Sequence, residues 1–389
     1  MFFIDTPPRD YSDPWSEDFW SRFATFRKGS HRVAYFYEKA DNSTFRYRAY
    51  NMVQTLADSA SGVSAGYFFP SDGSGRIDSV LKLADTIVLC RMRYDANISH
   101  IVARARSMGK TVLYDVDDLV FDTDLTHLIL GTLAQDFKHP GVWDHWFAYI
   151  SRIGTTLRMC DAAITTNPFL ARRIADFTGK PVFIVPNYMN RQQLEFSEAL
   201  YEDKRARGFQ RNGLCHIGYF SGTPTHKRDF DLAVPALASL LARHDHARLF
   251  IVGYLSLPPM LERYKDRTEI YPLHDFVNLQ RIISLVEINV VPLVDNVFTN
   301  CKSELKYFEA AAVGCLTVAS PSSTYSAAIE PGVNGWLSSS IEWESVLESA
   351  IVDFDKHLDM LRTTRDKAVN AYSGSAMFGA IAAAVTWRR

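Results

Sequence analysis

The sequence predicts an α/β chain of two parallel-sheet domains in series, and three observations predict it. Short runs rich in Val and Ile, each followed by a helical pattern, recur from residue 32 to 187. A polar, highly charged stretch, NRQQLEFSEALYEDKRARGFQRN, interrupts them at 190–212. The same alternation then restarts from CHIGYFS at 215–221. Buried parallel strands read as unbroken apolar runs because helices cover both faces of the sheet. With 389 residues, two domains of about 100–200 residues are expected.

Residues 1–30 read as an extension. Asp13 and Pro14 can open a helix, with Glu17 and Asp18 in its first turn. Trp15, Phe19 and Phe23 then recur on one face, beside Trp20. That aromatic face, within residues 13–28, either packs on the body or serves a membrane surface or partner. Residues 31–188 form the first Rossmann-like domain. RVAYFYE, TIVLCR, TVLYDV, AAITT and PVFIVPN are its strands, and FRYRAYNMVQTLADSA, ISHIVARARSMG and PFLARRIADFTG are helices. Gly109 ends the second of these helices as a left-handed cap. Residues 189–212 form a linker with a helix. The second Rossmann-like domain spans 213–365, with strands CHIGYFS, ARLFIVGY, TEIYPL, INVVPLV and LTVAS. Residues 366–389 read as terminal helices that can cross back to the first domain.

Lys plus Arg number 42 and Asp plus Glu 44, a balance that argues against a general nucleic-acid binder, which needs a strong positive field. The 5 cysteines form no Cys-x-x-Cys pair, which points to a reducing compartment without structural zinc. The start, MFFIDTPPRDYSDPW, lacks the basic head and apolar run of a secretory signal. No uninterrupted apolar stretch reaches about 18 residues, so no membrane span is expected. These readings together place the chain in the cytoplasm.

Two doubly wound domains in series put the C-terminal ends of two sheets opposite each other across a cleft. Ligands bind at those ends, where helix N-termini point. Four segments stand there. Gly222, Thr223, Thr225, His226, Lys227 and Arg228 follow CHIGYFS. Gly222 admits a close backbone approach, and the rest can donate to phosphate. The alternative is a solvated loop. The run lacks the GKT or GKS of a Walker loop. NCKSELKYFEAAAVG, from 300 to 314, follows INVVPLV. If it is helical from Lys302, then Lys302, Lys306 and Glu309 form one charged stripe, and Leu305, Phe308 and Ala312 a buried one. The charged stripe either faces the cleft or is a surface ion-pair ladder. Asp115, Asp117, Asp118 and Asp122 end the strand TVLYDV. They can supply a base, a hydroxyl clamp or a cation site, or simply cap a helix. Arg46 and Arg48 stand at the first strand–helix junction, where no Gly-x-Gly-x-x-Gly occurs, so a nicotinamide or flavin cofactor is not expected. They can meet an anionic acceptor or donor phosphates, or lie on the surface.

Taken together, these segments resemble glycosyltransferases of the GT-B fold, in the style of retaining family 4, over residues 32–375. PVFIVPN is similar to the strand that closes the family's N-terminal domain, although Tyr188 replaces the usual glycine. RLFIVG, VVPLVDN…KSELKYFEAAAVGCLTVAS and PGVNGWL resemble its central strand, donor-sugar segment and following Gly-x-x-Gly loop. The family's donor motif pairs two glutamates separated by seven residues. Glu309 matches the second, which the resemblance assigns to the donor ribose, and Cys301 stands where the first would be. Lys302 or Glu304 then become candidates for the sugar hydroxyls. The family's phosphate-binding basic pair maps to His226, Lys227 and Arg228, and its N-terminal-domain catalytic position maps near Asp117 and Asp118.

The resemblance implies transfer of a hexosyl or deoxyhexosyl group from a nucleoside diphosphate sugar to a hydroxyl of a glycan or lipid-linked acceptor. It implies retention of configuration and a role in bacterial surface polysaccharide or lipopolysaccharide assembly. No cofactor and no metal are expected, because basic side chains neutralise the diphosphate. The rivals are a sugar-nucleotide epimerase on the same fold and a non-catalytic module of a glycan-assembly complex, possible because the first glutamate is missing.

Overall fold

The computed structural model describes residues 8–388 apart from 60, 137, 210–212, 223–226, 254 and 353. Two six-stranded sheets organise these residues, and every strand pairing within them is parallel. The first sheet contains β1 (His31–Phe36), β2 (Val63–Phe68), β3 (Thr86–Cys90), β4 (Thr111–Asp115), β5 (Ala162–Thr165) and β6 (Val182–Ile184), in the order β2-β1-β3-β4-β5-β6. The second contains β7 (Cys215–Ser221), β8 (Ala247–Gly253), β9 (Thr268–Tyr271), β10 (Ile288–Val291), β11 (Leu316–Ala319) and β12 (Trp336–Leu337), in the order β12-β11-β10-β7-β8-β9. In each sheet the chain winds outward one way and then the other. The reversal falls between β1 and β3 in the first sheet and between β7 and β10 in the second. Such switch points open a crevice at the carboxyl ends of the strands.

The apolar runs are buried as their composition requires. Val88, Leu89 and Cys90 of β3, Leu113 and Tyr114 of β4, and Val290 of β10 are fully inaccessible. Where β7 meets β8, Ser221 pairs with Gly253, whose φ is 111° and whose added Cβ would lie 1.9 Å from the Ser221 carbonyl oxygen. Only glycine permits that approach at the end of the two strands.

The N-terminal extension is part of the body. Its helix begins at Phe19 rather than near Asp13, and Asp18 caps it by accepting from the Trp20 and Ser21 amides. Phe19, Phe23 and Phe26 are buried against the first sheet, while Trp20 alone of this aromatic row faces outward. Arg22 donates to the Tyr67 carbonyl and pairs with Asp72 at 2.8 Å. Trp15 is buried between Phe45, Tyr50 and Phe276, the last a residue of the second domain. Trp15, Phe19, Phe23 and Phe26 are therefore committed to the fold, and Trp20 is the part of this row left exposed.

Crossings join the two halves. The helix Arg191–Ala206 carries the chain out, and the helices Leu358–Ala371 and Gly374–Thr386 bring it back. The last of these buries Ile381, Ala384 and Val385 among Val33, Val88, Leu113 and Ile164 of the first sheet. Its Val385 carbonyl accepts from Thr86 at 2.7 Å.

Candidate active site

The carboxyl ends of β3, β4 and β5 face the loop after β10, and polar side chains meet across the gap. Asp118 follows β4, and Lys302 lies beyond β10. They pair at 3.3 Å, each about one-fifth exposed. The Lys302 ammonium also sits 4.5 Å from the Phe298 ring centre. Asn167, at the end of β5, donates to the Cys301 carbonyl at 2.8 Å. Asn296 donates to Thr132 at 3.2 Å, and Arg228 donates to the Gly131 carbonyl at 2.5 Å. Apart from the Lys302–Phe298 contact, each of these joins the first domain to the second.

Behind Asp118 lies a second polar group. Arg91, the residue directly after β3, has φ 47° and holds Asp117 at 3.3 Å. Thr44 donates to Asp117 at 3.2 Å, and Arg91 also donates to the Tyr149 hydroxyl at 3.3 Å. Burial opposes the Arg91 charge, but Asp117 beside it holds the guanidinium well above its ordinary value. A non-glycine residue in the left-handed region is strained, and such residues gather at functional sites.

Glu309 occupies the middle of the helix Leu305–Ala312 and is 4% exposed. Its Oε1 accepts from the Tyr47 hydroxyl at 2.5 Å, from Gln193 at 3.1 Å and from Arg46 at 3.3 Å. Arg46 and Tyr47 come from the first domain, on a π-helical turn, Arg46–Tyr50. Arg46 is stacked 4.1 Å from the Tyr47 ring centre and 4.7 Å from that of Phe276. Burial raises the Tyr47 phenol well above its usual value, so it remains a donor. Glu309 is thus clamped across the domain boundary instead of standing in open water.

Several sequence expectations are corrected. The helix starts at Leu305, so Lys302 lies in the preceding turn and not on one helical stripe with Lys306 and Glu309. Arg48 is fully buried. It forms a bidentate pair with Asp115 at 2.8 and 2.9 Å and donates to the Val185 carbonyl, so it cannot touch an acceptor. Arg46 is spent on Glu309, Gln193 and the Asn42 carbonyl and likewise leaves the acceptor side. Glu304 is buried beside Tyr372, with its pKa raised by burial, and does not line the gap with Lys302. Lys306 is partly buried, 5.3 Å from the Tyr219 ring centre, and burial lowers its ammonium to about 8. Lys227 and Arg228 are exposed at the start of the short helix after β7. An added Cβ on Gly222 would meet nothing within 4 Å, which leaves room above that backbone. Thr223 and His226 lie outside the described residues.

Arg91, Thr44, Tyr47, Gln193 and Asn167 were not singled out from the sequence. Arg91 was readable as the first residue after the strand TIVLC, and Asn167 as the cap before Pro168. Tyr47 and Gln193 carry no local signal, because their roles depend on a contact across domains. Among the described residues, no group of three or more His, Cys, Asp or Glu side chains could hold a metal ion. No helix among them is long and apolar enough to cross a membrane.

Residues 214–353 match the family described as Glycosyl transferases group 1. No curated protein matches the chain by sequence. Among solved structures, the chain is similar to Anabaena HepE in complex with UDP and glucose, at 13% identity and a TM-score of 0.60, covering 91% of this chain and 99% of that one. It is similar to the sucrose-phosphate synthase of Thermosynechococcus elongatus at 13% identity and a TM-score of 0.56, over 89% of this chain and 96% of that one. It is also similar to WaaG, a glycosyltransferase involved in lipopolysaccharide biosynthesis, at 14% identity and a TM-score of 0.56, over 91% and 99%. The chain therefore has the GT-B fold of these solved structures, and residues 214–353 of its second domain match the glycosyl transferases group 1 model.

Proposed function

We propose that the protein is a retaining glycosyltransferase. It moves a sugar from a nucleoside diphosphate sugar to a hydroxyl of a glycan or lipid-linked acceptor in surface polysaccharide or lipopolysaccharide assembly. The observation that carries this reading is the facing arrangement of Lys302 and Asp118 at the ends of β10 and β4, with Lys306 beside β7. The donor lies on the second domain. Lys306, Lys302, Lys227 and Arg228 neutralise its diphosphate, and the free oxygen of Glu309 receives the ribose hydroxyls. Preorganised cations aimed at a departing anion lower the barrier most effectively where water is excluded.

The acceptor lies on the first domain near Asp117 and Asp118. Its hydroxyl oxygen bonds to the anomeric carbon from the face that the leaving group departs, and the bond from that carbon to the phosphate oxygen breaks. The hydroxyl proton passes to the leaving phosphate oxygen. Asp118 positions the hydroxyl once the diphosphate draws Lys302 away from it. The reading needs no metal, because Lys306, Lys302, Lys227 and Arg228 supply the positive charge for the diphosphate. Activity that is lost on chelation and restored by magnesium or manganese would refute that part. The reading also places the protein at the cytoplasmic face of the membrane that carries its acceptor.

A panel of labelled nucleoside diphosphate sugars, incubated with and without glycan acceptors, tests the whole proposal. Label should move to the acceptor only when one is present. An isomerised nucleotide or free sugar without acceptor would make the protein an epimerase. Donor binding with no turnover under any condition would make it a non-catalytic module.

A further inference from the structure

The helix Pro140–Met159 carries an aromatic row that the candidate active site leaves unused. Trp146 and Tyr149 pack against the first domain's core, with ring centres 5.6 Å apart. Trp143 is half-buried, stacked on Phe147 at 6.4 Å and tilted by 40° against His127 of the neighbouring helix at 4.3 Å. Phe147 is 43% exposed. The row is continuous with the site, because the Tyr149 hydroxyl accepts from Arg91, which holds Asp117. From Trp143 to Tyr149 the row runs about 9 Å along the helix axis.

The charge around it narrows the occupant. Between Lys138 and Arg152 the sequence HPGVWDHWFAYIS has no Lys or Arg and one Asp, Asp144. Binding to an anionic membrane surface draws on clustered basic residues, whereas the arginines at the Tyr149 end, Arg91 and Arg93, are each paired with a carboxylate, Asp117 and Glu38. A polyanion would likewise meet those two positive charges already paired with carboxylates. Aromatic planes edged by imidazole and indole groups suit a ligand with apolar faces and polar rims. A neutral sugar chain has that form: its C–H faces lie on rings, and its hydroxyls reach His127 and His145.

We propose that Trp143, Phe147 and His127, continuing into Trp146 and Tyr149, are a docking surface for the extended part of a neutral glycan acceptor. The surface guides the chain so that its terminal hydroxyl enters beside Arg91 and Asp117. This inference rests on the transferase reading above and names its acceptor class.

The test uses the full chain, the W143A/F147A variant and the single variant Phe147→Ser. The probes are neutral gluco-, manno- and galacto-oligosaccharides of four to eight sugars, and vesicles of phosphatidylglycerol and phosphatidylethanolamine. At least one oligosaccharide series should bind the parent more tightly with each added sugar. W143A/F147A should weaken that binding at least tenfold, and Phe147→Ser severalfold. The melting temperature and the stabilisation by UDP should stay unchanged in both. Binding of no neutral series overturns the inference. So does equal binding by parent and variants, or vesicle cosedimentation of the parent that W143A/F147A abolishes. A parent that UDP does not stabilise and that turns over no donor removes the transferase reading instead, which is a separate result.

Discussion

Replacing Glu309 should destabilise the protein and weaken donor binding together, and the clamp described above gives the magnitudes. Glu309→Ala leaves the Arg46 guanidinium 4% exposed, with Gln193 and the Asn42 carbonyl as remaining partners. Removing one partner of a buried ion pair costs about 3–5 kcal/mol. Glu309→Gln keeps an acceptor and loses only the charge, so its cost should be on the order of 1–2 kcal/mol. Tyr47→Phe removes one hydrogen bond to a carboxylate, worth about 1.5–3 kcal/mol. In the Glu309→Ala background Tyr47→Phe should cost almost nothing more, since its acceptor is already gone. Denaturant melts of the four proteins form the cycle, and contacting residues in such cycles are coupled by about 0.5–3 kcal/mol. UDP titration calorimetry on the folded proteins supplies the second readout. Glu309→Ala should weaken UDP roughly ten- to a hundredfold, or about 1.4–2.7 kcal/mol. Strict additivity of the two substitutions would refute the clamp. Unchanged UDP affinity in Glu309→Ala would remove Glu309 from the donor site, whatever its effect on stability.

Three further outcomes follow from the geometry. Burial lowers the Lys306 ammonium to about 8, so the side chain is charged below that pH and neutral above it. UDP affinity should therefore fall as pH rises through about 8, and Lys306→Met should flatten that part of the profile; a flat parent profile contradicts the assignment. Lys302→Met should lower turnover by about 10²–10³, yet change stability by under about 1 kcal/mol, because the pair with Asp118 is partly solvated. A large drop in melting temperature with normal turnover would make the pair structural. Deleting residues 1–28 removes Trp15, Phe19, Phe23 and Phe26 from the core, at about 1.5–3 kcal/mol per buried side chain. The truncated protein should aggregate or melt far lower, and an unchanged melt would show that the helix is dispensable.

The strands that the sequence disclosed are those with dense apolar runs. CHIGYFS coincides with β7, and TIVLCR, TVLYDV and LTVAS each extend β3, β4 and β11 by one residue. VSAGYF was not recognised as β2, because Ser64, Ala65 and Gly66 have weak strand preference. Gly66 is explained only by the fold: an added Cβ would lie 2.8 Å from the Phe26 Cβ, where the N-terminal helix crosses the strand. The search among residues after strands picked out Asp117, Asp118 and Lys302, and the structure sets Lys302 against Asp118 across the gap with Asp117 behind it. It failed for Arg48, since a charged residue near a junction gives no hint that Asp115 waits for it inside the core. It also failed for the partners of Glu309, which lie 263 and 116 positions away in the chain.

The return of the helix Gly374–Thr386 to the first sheet has a consequence for biogenesis. A ribosome delivers β1 to β6 long before it delivers the segment that covers Val33, Val88 and Leu113. At about 5–20 residues per second, the wait is on the order of ten seconds or more. During that interval one face of the nascent sheet lacks its cover and is open to chaperones or to a second nascent chain. No single cut can release either half as a finished unit, because the polypeptide passes between the halves more than once. Expression yield should accordingly depend more on the integrity of the Ile381, Ala384 and Val385 seam than on any residue at the reaction centre.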